Sequence, residues 1–532
     1  MSAPARNTPG VRTLVFWALL AGVPAVFVAV RSLDPFGDRG MANVIGTAVA
    51  LLLFLVWLGW FLCARRFALR VRFSVLATIL MVTGAAAVTL RVRGFHGDMV
   101  PEVQWRFGAS STSDAAAEAA LAGAVDLERT SAEDFPGFLG PTRDGRVARV
   151  AIATDWRAHP PRLLWRGPIG PGWSGFAVVN GWAVTIEQGD AGEVTSARDL
   201  RTGAVAWRRV SPGHVRHALG GDGPRSTPAI AAGRVVTLGG EGRLACLDGH
   251  TGAVVWEHDL SAEFGLDAAG EFQEVGYGRS NSPLVHEGRV IVPAGGAPGN
   301  GQAGLAAFDL ASGALLWKSD PRAISYSSPA AATLLDVPQI LIVNEGTLSA
   351  HDPASGKLLW EHPWPGESSG DANVSQALPV PPDRVFVSKG YGGGGLLLRL
   401  ARDGEALRVE ELWHDSRLLR TKFTNVVLHE GHLYGLDDGV LECVELASGT
   451  RAWKEGRFGH GQLLLAGAHL VVVSEEGEVL LVEARPDRAA SVLASFQGLE
   501  GKCWGTPALS GAVLLLRNAE ECAAWELPLD SL

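Results

Sequence analysis

The sequence predicts an all-β fold: an eight-bladed β-propeller of four-stranded antiparallel blades, preceded by three transmembrane α-helices. Two observations carry the propeller. One spacing, acid-x-x-[Ser/Thr]-Gly-x-x-x-Trp, occurs five times between residues 199 and 453. Before each copy lies a second apolar-turn-apolar pattern, so each unit holds four short strands in roughly 40 to 60 residues. A third observation carries the helices: residues 13–30, 44–64 and 73–90 contain no charged side chain over 18, 21 and 18 residues, close to the length a bilayer core requires.

The chain divides at its start. Residues 1–100 form the membrane region. Residues 1–107 carry 11 Arg, no Lys and 4 acids, leaving a net charge of −17 for the remainder of a chain whose total is −10. An acidic remainder excludes nucleic acid as a partner, because phosphate binding needs a clustered basic surface. The loop 65–72, RRFALRVR, has four Arg and no acid, which predicts that it is cytoplasmic. Three spans then place the N-terminus in the cytoplasm and everything after residue 90 outside, which in a bacterium is the periplasm. Residues 101–134, Ala- and Ser-rich, are expected to be a flexible linker, and 135–532 the propeller.

The repeat is read as a hairpin. Its copies are Asp199/Thr202/Gly203/Trp207, Asp248/Thr251/Gly252/Trp256, Asp309/Ser312/Gly313/Trp317, Asp352/Ser355/Gly356/Trp360 and Glu445/Ser448/Gly449/Trp453. The acid and hydroxyl can bond turn amides, Gly supplies a positive φ, and Trp docks the blade on its neighbour while its N–H seeks a partner. The units fall near 174–209, 225–260, 280–319, 327–362, 374–415, 421–456, 460–497 and 504–527. The last is one strand short, and PRLLWRG (161–167), ending near Trp165, has the form of the strand that closes it. Of five Cys, Cys246 and Cys443 occupy equivalent repeat positions and are expected as buried thiols. Cys503 and Cys522 fall in one unit and could pair in an oxidising compartment.

The repeat resembles the tryptophan-docking repeat of the pyrroloquinoline quinone (PQQ) propeller superfamily, and FPGFLGPTRDGRV (135–147) resembles the leading segment of many of its bacterial members. That superfamily includes quinoprotein alcohol and glucose dehydrogenases and the outer-membrane-assembly lipoprotein BamB, so the resemblance implies fold and leaves function between two classes. Quinoprotein chemistry needs a clamped quinone, Ca²⁺ held by carboxylate and amide oxygens, and a carboxylate base. The adjacent Cys pair of the alcohol enzymes does not occur here. Asp371 and Asn373 come nearest to a Ca²⁺ and base pair.

Residues at the starts of the innermost strands should ring the channel mouth: Trp173, Arg225, Arg279, Tyr326, Asn373, Lys422 and Trp504. Their cations and aromatics suit an anionic planar ligand or an acidic peptide. No catalytic residue and no metal ligand set is assigned: HEGH (429–432) spans a hairpin turn, HVRH (214–217) a loop, and neither puts two His on one helical face. The reading is a membrane-anchored, non-catalytic binding or scaffolding propeller without cofactor, its partners being other envelope proteins or peptides. The alternative is a PQQ- and calcium-dependent dehydrogenase passing electrons to membrane quinone.

Overall fold

Alternating apolar strands need partners on both edges, and the chain supplies them in eight sheets. The computed structural model describes residues 38–65, 67–107, 125–147, 150–299, 301–404 and 406–530, with Gly22, Ala25, Val28 and Ala29. It divides into two units, Met1–Ser110 and Ser111–Leu532.

In the first unit, helix α1 (Arg39–Cys63) starts at Asp38, whose carboxylate accepts the Met41 N–H, and α2 (Leu69–Thr89) follows. Among the described residues two helices, not three, are long and apolar enough to cross a membrane. The expected span 13–30 lies outside the described residues apart from four helical positions. Both helices leave their apolar side chains exposed, Leu52 at 61% and Met81 at 72%, which suits lipid and not a protein core. A hairpin of Leu90–Phe95 and Pro101–Trp105 follows, so the stretch expected as linker begins with a strand. That stretch also ends in packed structure: Val125 and Leu127 are buried in the core shared by blades 1 and 2, because both are apolar and reach the crevice beside Trp207.

The eight blades span 177–211, 229–259, 284–318, 330–363, 378–415, 427–457, 462–497 and 508–526, the last completed by Arg162–Pro168. Arg162–Pro168 pairs antiparallel with Glu521–Glu526, as the sequence required. Trp165 on that strand then docks on blade 1, its indole N–H donating to Leu200 O at 2.9 Å.

The four Asp motif turns form as expected, while Glu445 accepts only the Ser448 hydroxyl. One Asp248 oxygen accepts the Thr251 N–H and Oγ1–H at 3.0 and 2.9 Å, and Gly252 sits at φ +71°. Gly is required for a second reason that the spacing did not reveal. Trp165, Trp207, Trp256, Trp317 and Trp413 each cover the motif Gly of the next blade, so a Cβ at Gly203, Gly252, Gly313, Gly356 or Gly449 would come within 2.4 to 2.8 Å of a ring. Trp207, Trp256, Trp317 and Trp453 each give their indole N–H to a carbonyl in the following blade at 2.8 to 3.0 Å. Trp360 differs. The outer turn of blade 5 lacks the motif, and the Trp360 N–H turns to Gln339 Oε1 of its own blade at 2.7 Å.

The cysteine expectation divides. All five are free thiols, so Cys503 and Cys522 are not bonded. They face different neighbours: Cys522 Sγ points to Gly167 O of the closing strand, whereas Cys503 Sγ packs beside Gly477 of blade 7. Burial pushes Cys246 and Cys443 up to about 11 and Cys503 up to about 12, which keeps them protonated and unreactive.

The leading segment does more than enter the disc. Phe135 exchanges both backbone hydrogen bonds with Val178 of blade 1. Pro136 O accepts the Ile230 N–H of blade 2, and Arg143 donates to Ser282 O and Pro283 O of blade 3. Gln376 of blade 5 donates to Arg143 O, and Arg146–Val147 adds a parallel fifth strand to blade 7. Ile152 finally bridges to Leu529, after the last strand of blade 8. Residues 135–147 and 150–153 thus lace six blades together, in chain order.

Candidate functional site

Antiparallel strand order gives the disc two faces. One carries the motif turns; the other carries the starts of the innermost strands, and the short Ser/Thr-rich runs there have a structural task. Gly175 N–H donates to Thr227 Oγ1, Thr227 N–H to Ser282 Oγ, and Ser282 N–H to Ser328 Oγ, at 3.1, 3.0 and 2.8 Å. Gln376 N–H likewise donates to Asn425 Oδ1 at 2.8 Å. Each hydroxyl or amide ties one blade to the preceding one, which keeps the buried amides at the channel paired.

Outside this belt the seven expected mouth residues separate into two groups. Trp173, Arg225 and Trp504 come together in an arc. The Trp173 and Trp504 rings are 5.1 Å apart, and Phe423 stands 4.8 Å from Trp504. Lys502 Nζ lies 4.4 Å from the Trp504 ring and 5.5 Å from that of Trp173, a cation–π arrangement. Trp173 Nε1 and Arg225 Nη2 both donate to Gly220 O, at 2.8 and 2.9 Å. Beyond them Tyr277 stacks with His217 at 4.0 Å and meets Tyr326 edge-on at 5.8 Å. Arg225 is held by carbonyl oxygens only, and burial pushes its guanidinium down to about 10. It therefore stays charged at neutral pH. Lys502 and Tyr277 escaped the sequence reading because each lies two residues before the strand start it named, and Phe423 because it was passed over beside Lys422.

The other expected residues are consumed internally. Arg279 is fully buried, bound by both oxygens of Glu271 and by Pro293 O and Ala294 O. Glu271 comes from a short helix, Ala268–Glu274, capped by Asp267, in a stretch not read as helical. Tyr326 is 5% exposed with its hydroxyl donating to Ser368 O. Asn373 donates to Asn344 O and Trp364 O. Lys422 lies 3.3 Å from Asp438 Oδ1.

The same face tests a Ca²⁺-bound quinone. Asp371 is ion-paired with Lys389 Nζ at 3.0 Å and accepts the Glu367 N–H at 2.7 Å. Its pKa lies below the ordinary value, the hydrogen bonds and the ammonium outweighing burial. A carboxylate neutralised by a 5% exposed ammonium is a poor ligand for a second cation and a poor base. Asp371 and Asn373 do not fit that group.

One buried carboxyl at this face titrates near neutrality. Glu193, 3% exposed between blades 1 and 2, accepts the Gly240 N–H at 2.9 Å, and burial raises its pKa to about 7. Glu241 raises it further, and Arg225 opposes. A raised pKa means the folded state holds a proton the unfolded chain has lost, so stability falls as pH rises from about 4.5 to about 7. Glu193→Gln keeps the acceptor and removes the titration. It is expected to stabilise the propeller at pH 8 by on the order of 1–3 kcal/mol and to flatten this limb of the pH profile, read by denaturant unfolding.

The comparisons with known proteins agree with this framework. A family model described as outer membrane protein assembly factor BamB matches residues 190–455, half of the chain. The chain belongs to the BamB family. Among curated relatives of this BamB-family propeller, BamB of Shewanella oneidensis is 22% identical over 322 residues, 56% of this chain and 73% of the relative. The crystal structure of BamB from Moraxella catarrhalis aligns with a TM-score of 0.50 at 14% identity, covering 70% of this chain and 99% of that one. A europium-containing methanol dehydrogenase aligns at TM-score 0.56 and 13% identity, covering 75% and 99%. The quinohemoprotein alcohol dehydrogenase from Comamonas testosteroni aligns at 0.53 and 12%, covering 77% and 84%. At these identities BamB and the dehydrogenases share the fold with this chain. The BamB-family match runs from the third strand of blade 1 to the last strand of blade 6, and leaves out the leading segment and blades 7 and 8.

Proposed function

We propose that this BamB-family propeller is a non-catalytic docking module, held at the outer face of a bacterial cytoplasmic membrane by its apolar helices. Its partner is an acidic segment of another envelope protein, bound across the arc of Phe423, Trp504, Trp173 and Tyr277. The observation that carries the reading is this arc. The half-buried rings of Phe423, Trp504 and Tyr277 and the 7% exposed ring of Trp173 come from four blades and line one face with Lys502 and Arg225 among them, while the carboxylate Asp371 is tied to Lys389. Aromatic and cationic side chains in a partly desolvated patch are the usual anchors of a protein interface.

The second reading, a PQQ- and Ca²⁺-dependent dehydrogenase, draws support from the fold shared with methanol and alcohol dehydrogenases. One experiment weighs both. The full chain in detergent carries a photo-crosslinker at position 502, or at Glu287 on the opposite face as a control. Specific capture of an acidic envelope protein from position 502 alone is expected, and Trp504→Ala is expected to lower it about tenfold with little change in melting temperature. Saturable PQQ binding that requires Ca²⁺, with dye-linked oxidation of alcohols or sugars, would overturn the docking reading.

A further inference from the structure

The lace brings a cation into the channel without a counter-charge. Arg143 is 8% exposed, at the tip of the turn formed by residues 142–145. Nη1 donates to Pro283 O at 2.9 Å and Nη2 to Ser282 O at 3.1 Å, while Nε is buried with no acceptor among the described residues. No carboxylate of the described residues pairs with it. Its sequence neighbour Asp144 is occupied elsewhere, accepting from Thr142 Oγ1 at 2.6 Å and from the Arg146 N–H at 3.1 Å. Arg279, buried in the same innermost layer, shows the usual solution in its pairing with Glu271. Arg143 also stands 5.8 Å from the Phe138 ring, and its own carbonyl accepts Gln376 Nε2 at 2.6 Å.

A buried charge without a partner costs several kcal/mol, so sites of this kind recruit a counter-ion or neutralise. Burial alone pushes the Arg143 guanidinium down to about 9, which leaves it charged at pH 7. Other inner-strand starts also hold buried hydroxyls without a partner among the described residues. Ser226 Oγ, Ser327 Oγ and Thr424 Oγ1 are buried without a partner. Each is one residue from a member of the belt that also holds Arg143: Thr227, Ser328 and Asn425.

We infer that the channel, beside Arg143, binds a small monovalent inorganic anion of halide size, with Nε–H as its charged donor. A spherical anion accepts from N–H and O–H donors without demanding a fixed angle. The anion completes the electrostatics of the lace and fixes the 142–145 turn against blades 3 and 5. This site is separate from the aromatic arc, and its failure would leave the docking reading intact.

Two measurements on the full chain in detergent test it. In crystals grown with sodium bromide, an anomalous peak within hydrogen-bond distance of Arg143 Nε is expected; density there without anomalous signal, a water, overturns the proposal. In solution, chloride is expected to raise the melting temperature saturably by about 2–4 °C over gluconate at equal ionic strength, with the dependence lost in Arg143→Gln. The same dependence retained in the variant overturns the assignment. The bromide map on the unaltered chain keeps the test decisive if the variant does not fold.

Discussion

Trp317→Ala is expected to destabilise the propeller by about 3–5 kcal/mol, the cost of removing a large buried aromatic where the backbone can collapse little. The cause is local and double. The Trp317 ring covers Gly356 of the next blade so closely that a Cβ there would lie 2.4 Å away, and its indole N–H donates to Pro353 O at 3.0 Å. Losing the ring opens a cavity between blades 3 and 4 and orphans that carbonyl. The complementary change, Gly356→Ala, fails from the other side: φ is +71° and the methyl meets the ring, for an expected cost of about 2–4 kcal/mol. Urea unfolding of both variants and the pair checks this. The double variant should lose less than the sum, because the alanine methyl at 356 partly fills the space the ring leaves. Strict additivity would mean that the ring and the glycine do not act as a unit.

Replacing residues 135–147 with a Gly/Ser sequence of equal length is expected to cost roughly 5 kcal/mol or more, from the buried side chains alone. Phe135 is 1% exposed and Leu139 3%, and the segment satisfies amides that would otherwise be unpaired at the channel. Hydrogen exchange gives the sharper readout. The Ile230 N–H donates to Pro136 O and the Leu465 N–H to Gly145 O, so these two should lose protection first. The Val236 amide, in an interior strand of blade 2 paired on both sides, should hold longer. If Ile230 and Leu465 keep their protection, the lace is a passive passenger and blade 8 closure by Arg162–Pro168 suffices.

Much of the framework was legible because its determinants are close in sequence. A hairpin turn needs an acid, a hydroxyl and a glycine at fixed offsets, and Asp248, Thr251 and Gly252 bond as that chemistry demands. Strand closure was legible too, since a last unit with three strands and an isolated strand near Trp165 leave one economical pairing. The candidate site was legible only in part. Trp173, Arg225 and Trp504 meet in the arc, but Arg279, Asn373 and Lys422 look identical to them in a sequence and are used internally. Whether a charged residue is free depends on a partner such as Glu271, set on a short helix that Asp267 caps and the strand rhythm hides.

The sequence by itself determined the disc: the turns, the blade repeat, the docking Trp and the apolar stretches all follow from periodicity and backbone chemistry acting over a dozen residues or fewer. Only the tertiary structure decided what the disc presents. The rings of the arc come from four different blades, the Asp371 carboxylate is held in an ion pair with Lys389, and Arg143 is carried to the inner strands by a segment that no repeat encodes. Such convergence depends on the path of loops through space, and spacing along the chain holds no record of it.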